Sequence, residues 1–63
     1  MAITLELEGL KNAKDVNALT EALMILDGVE HVGVAMHWAE IEGRVARSVV
    51  EAAVRNAGFS IKS

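Results

Sequence analysis

The sequence predicts an α+β sandwich of the order βαββαβ: a four-stranded antiparallel sheet with two helices on one face. Three observations carry that prediction. Apolar residues alternate with a period of two in four short stretches, they recur with helical spacing in two others, and glycines stand where one period gives way to the next.

From Ile3 to Glu8 the alternation is strict, with Ile3, Leu5 and Leu7 on one side and Thr4, Glu6 and Glu8 on the other. That is the pattern of a half-buried strand. Gly9 ends it. From about Ala13 the period changes, and Val16, Leu19, Leu23 and Leu26 line one face of a helix. Asp27-Gly28 closes this helix, the glycine being free to take the left-handed cap conformation. Val29 to His37 predicts a second strand, with Val32, Val34 and Met36 inward and His31, Gly33, Ala35 and His37 outward. A tight turn near Trp38 leads into a third, Ala39 to Glu42. Past Gly43, a second helical stripe runs through Val45, Val49, Ala52, Ala53 and Ala57, widened by Val50 and Val54, and closes at Gly58. Phe59 to Lys62 forms the last strand, with Ile61 inward. Two βαβ-like halves in this order make the split unit of ferredoxin-like folds.

Sixty-three residues hold one core, so residues 1–63 are read as a single domain. At this size only about 60% of the unfolded surface is buried, so the core must be dense in apolar residues; 52% of the residues are apolar. With no cysteine there is no disulfide framework, no thiolate metal site and no thiol nucleophile. A net charge of −3 and a pI near 5.2 argue against nucleic acid as a partner, as does having only Trp38 and Phe59 for base stacking. The longest apolar run, Ala22 to Leu26, falls far short of the roughly 20 residues that span a bilayer, so no membrane insertion is expected. Nor does the start of the chain leave room for a signal peptide before the first strand, and a soluble, cytoplasmic protein is the expectation. Without a nucleophile elbow or a phosphate-cradling glycine loop, binding is expected rather than enzymatic chemistry.

Gly9-Leu10, then Val16, Leu19, Ala22, Leu23, Leu26, Gly28-Val29, Val32 and Val34, and later Ala57-Gly58-Phe59, resemble the heavy-metal-associated domain of copper chaperones and metal-pumping ATPases. The stretch from Gly9 to Val34 matches without gaps, and the resemblance covers nearly the whole chain. It implies a sheet in the order 4-1-3-2 and a role in metal ion binding or trafficking, with no cofactor other than a metal ion. In that family a glycine and a methionine open a loop that holds Cys-x-x-Cys. Here the methionine position falls on Leu10 and the two cysteine positions on Asn12 and Asp15. Two soft, deprotonated sulfurs hold Cu(I); asparagine and aspartate are hard oxygen ligands and do not. The resemblance therefore implies a degenerate metal site, which turns the expectation toward docking to a protein partner or to a second copy as a homodimer.

Each candidate residue has a plain structural role beside the functional one. Asn12 and Asp15 could hold one side of a hard divalent ion, most of whose shell would be water or another molecule; they also suit the start of a helix, as N-cap and as first-turn acid. Lys11 and Lys14 flank the loop where the family commonly docks with basic residues, and are otherwise solvated. Glu6, Glu8, Glu40 and Glu42 should crowd the centre of the uncovered sheet face, screened by water or met by a basic partner or cation. Met24 and Ile25 lie off the inward stripe of the first helix and, with Trp38, add exposed apolar surface. His31 and His37, six residues apart on one strand, are too widely spaced to share an ion within one chain, which leaves histidine only an intermolecular metal site. The second strand is an edge in the implied order, carries no acidic or basic residue after Glu30 other than histidine, and has only Gly33 as an irregularity. Such an edge invites pairing with a second copy, and acid should weaken that pairing by charging the histidines.

Overall fold

The computed structural model describes residues 2–62. The alternation at the start of the chain forms β1 (Ala2–Glu8), in which Ile3, Leu5 and Leu7 are buried and the residues between them exposed. Helix α1 (Ala13–Met24) follows, with Leu19 and Leu23 fully buried on its inner face. Strands β2 (Val29–Val34) and β3 (Trp38–Gly43) come next, then α2 (Arg47–Asn56) and the two-residue β4 (Ser60–Ile61). The sheet runs β2-β3-β1-β4, which is the expected order of strands, and every pairing is antiparallel. The helices touch each other, α1 packing over β2 and α2 against β4.

One apolar cluster joins the sheet to both helices. Leu5, Leu7, Leu19, Leu23, Ile41, Val50 and Val54 fill its centre, and Val34 and Ile61 pack at its margin, half-buried. Leu10, in the loop before α1, is buried too, so the loop is pinned from below by an apolar side chain.

Four details depart from the expectation. Strand β2 ends at Val34, not His37, because the Ala35 amide donates to the Trp38 carbonyl at 2.8 Å and closes the turn there. Trp38 is accordingly the first residue of β3. Second, β2 carries a bulge between Val29 and His31, an irregularity beyond Gly33 that blunts pairing along this edge. Third, α2 starts at Arg47, and its inner face is Val50 and Val54 with Ala53 and Ala57; Val49 and Ala52 are exposed. Fourth, the four glutamates of the open face are staggered across the sheet and are not direct cross-strand partners.

Gly28 and Gly43 hold the far end of the sheet together. Both have positive φ, 89° and 143°, and the Arg44 amide donates to the Gly28 carbonyl at 2.7 Å. A Cβ on Gly28 would run into the Arg44 carbonyl, and one on Gly43 into the Gly28 carbonyl. This close backbone approach sets where β2 begins and where β3 ends.

Candidate functional site

Two surfaces gather the candidate residues, the loop at the start of α1 and the sheet face that no helix covers. The loop begins at Gly9, whose φ of 99° turns the chain out of β1. Asn12 then takes an extended conformation as the N-cap, and its Oδ1 accepts from the Asp15 amide at 3.0 Å. Asp15 answers in the other direction, its Oδ2 accepting from the Lys11 amide at 2.9 Å. Two amides at a helix start are satisfied by two side chains, in the manner of a capping box with its return bond moved back by one residue. The Asp15 carboxylate also stands at the positive end of the α1 dipole. Lys11 and Lys14 are exposed beside it.

The donor set here is an amide and a carboxylate, both engaged with the backbone, and no sulfur. Among the described residues no group of three or more histidine, aspartate and glutamate side chains could hold a metal ion. The loop therefore does not fit a soft metal. His37 lies in the turn after β2, outside any strand, while His31 faces Glu42 across the β2–β3 ladder. The structure does not bring the two histidines to Asn12 and Asp15 as one cluster.

On the open sheet face the register separates the four glutamates. Glu40 stands between Gly33 and Thr4, and Glu42 between His31 and Ala2. Glu6 faces Trp38, and Glu8 faces Ser60. None of these four is directly opposite another, so the expected like-charge contact between β1 and β3 is absent, and diagonal neighbours are spaced by about 7–8 Å. Sequence periodicity gave the face correctly but not the register, because β1 and β3 are distant in sequence and no hairpin turn between them fixes their alignment.

Trp38 is 47% exposed on this face. Together with Thr4, Glu6, Glu8, His37 and Lys62 it lines a shallow open depression of about 540 Å³. Lys62 was not among the candidates, although the inward assignment of Ile61 already put its neighbour outward. Met24 and Ile25, 63% and 82% exposed, lie away from this face at the end of α1. Ile25 there borders a shallow groove with Ala22, Leu26 and the last turn of α2. No helix among the described residues is long and apolar enough to cross a membrane.

No family model matches the chain, and no curated protein matches it. Solved structures do. A CopZ metallochaperone superposes with a TM-score of 0.93 at 23% identity, covering 97% of this chain and 98% of its own. A copper-binding domain from HMA7, a P-type ATPase, superposes with a TM-score of 0.91 at 25% identity, covering 98% and 93%. Oxidized MerP from Ralstonia metallidurans CH34 gives 0.88 at 20% identity, covering 100% and 97%. With its β2-β3-β1-β4 sheet and a Gly9 loop feeding α1, the chain is by fold a heavy-metal-associated-like domain.

Proposed function

We propose that this chain is a small non-enzymatic docking module, a single unit that keeps the heavy-metal-associated fold and has given up soft-metal carriage. One observation carries the reading. Where the resemblance puts the family's two cysteines, Asn12 and Asp15 use their oxygens to bond backbone amides at the start of α1. A chain with no cysteine has no thiolate to put in their place. Fold neighbours such as the CopZ metallochaperone and the copper-binding HMA7 domain support a place in metal trafficking; the side chains support contact with a protein there rather than transport of the ion. The docking surfaces are the Lys11–Lys14 loop and the open sheet face with Trp38, Glu6, Glu8, Glu40 and Glu42.

The alternative of a weak hard-metal or intermolecular site through Asn12, Asp15 or histidine has less support. A hard ion takes six or more oxygens, and here the two available side chains are already bound to the helix start. Competition against a Cu(I) chelator tests the main reading. The chain should leave all the copper with the chelator, and one equivalent retained by the protein at sub-nanomolar free Cu(I) would overturn it.

A further inference from the structure

The formal charge of −3 is not spread over the molecule. Of nine acidic and six basic residues, β1 and β3 place four glutamates on the open sheet face, where the lysine is Lys62, and a fifth acid, Glu30, is exposed in the β2 bulge beside Glu42. The one face that neither helix covers is thus strongly acidic. Among the described residues the ion pairs are Arg47–Glu51 and Arg55–Glu51, both on α2, so none of the four glutamates on the sheet is engaged. Within this acidic surface Trp38 is the large exposed apolar group, directly opposite Glu6 and two residues from Glu40 on its own strand.

This combination selects among occupants. A second copy presenting the same face would bring like charge against like charge. A purely apolar helix would satisfy Trp38 and strand the carboxylates. A guanidinium meets both demands, since its plane stacks on an indole while its fork pairs with a carboxylate through two parallel hydrogen bonds. An ammonium is a more strongly hydrated point charge and does only part of this. Resting on the docking reading above, we propose that the open sheet face receives an arginine-bearing basic segment of a partner protein, with the guanidinium laid over Trp38 and paired with Glu6 or Glu40.

Trp38 is the chain's single tryptophan, so its fluorescence reports on this surface alone. The test is a titration of the intact chain with a capped Gly-Arg-Gly-Arg-Gly peptide at low ionic strength, beside the same peptide with lysines. The arginine peptide should give a saturable change in Trp38 emission, tighter than the lysine peptide by about fivefold, in line with a stacked guanidinium, and weakened by salt. The Glu6→Gln/Glu40→Gln variant, changed only at exposed positions, should unfold at the same temperature and bind the arginine peptide several-fold more weakly. No saturable change, equal affinity for both peptides, or an unaltered affinity in the folded double variant would each overturn the proposal. Cu(I) competition separates this from the parent reading: a chain that retains copper sinks the docking module itself, whereas a flat arginine titration with no copper retained sinks only the assignment of this face.

Discussion

Asn12 and Asp15 hold each other across the first turn of α1, the Asn12 side chain accepting from the Asp15 amide while the Asp15 carboxylate accepts from the amide just before Asn12. The same two positions are those at which the resemblance places a metal-binding pair. A stability effect therefore belongs to these side chains. Asn12→Ala should destabilise the chain by about 1 kcal/mol, the usual cost of losing a cap. Urea unfolding of the variant checks this, and an unchanged midpoint would remove the capping role.

The core makes a sharper contrast. Leu23 is fully buried and Val49 is 46% exposed, although both fell on apolar stripes. Leu23→Ala should cost about 2 to 5 kcal/mol, a large part of what so small a domain possesses. Val49→Ala should stay within about 0.5 kcal/mol. Similar losses from both, measured by the same denaturation, would contradict the placement of α2.

The glycine pair at the end of the sheet should tolerate no side chain. At Gly28 and Gly43 a Cβ meets backbone carbonyls rather than movable side chains, and the positive φ is unfavourable for alanine. Each substitution by alanine should cost on the order of 1–3 kcal/mol. Gly33, where a Cβ meets nothing within 4 Å, is the control and should accept alanine with little loss.

The edge of the sheet bears on self-association. Strand β2 stops at Val34 and is bulged between Val29 and His31, so it offers a shorter and less regular edge than its sequence suggested. Sedimentation equilibrium should give the monomer mass at neutral pH up to about 100 micromolar, in keeping with a blunted edge. A dimer there that dissociates in mild acid would restore pairing through the His31 edge.

Much of the fold was legible because its signals do not compete. In β1 the strict alternation left one inward set, Ile3, Leu5 and Leu7, and all three are buried. In α2 the signal was degenerate. Val45 and Ala57 beside the helix and Val49, Val50, Ala52, Ala53 and Val54 within it are all apolar, so spacing alone could not choose the face, and the core takes Val50 and Val54. The boundary of β2 was missed for a different reason: the residues past Val34 keep alternating, and the turn is fixed by the Ala35–Trp38 backbone bond, which no side-chain pattern announces. At the candidate site, the residue chemistry of Asn12 and Asp15 could be read from the sequence, but their reciprocal bonding depended on backbone geometry.

Asn12 and Asp15 bond the backbone at the start of α1, and we propose that these two positions, where the resemblance places metal ligands, act as helix caps and carry no soft metal. The most direct measurement is Cu(I) competition on the native chain beside the Asn12→Cys/Asp15→Cys variant, which places two soft ligands on the same loop. The native chain should retain no copper and the variant one equivalent. Copper held by the native chain, or a folded variant that holds none, would contradict the account.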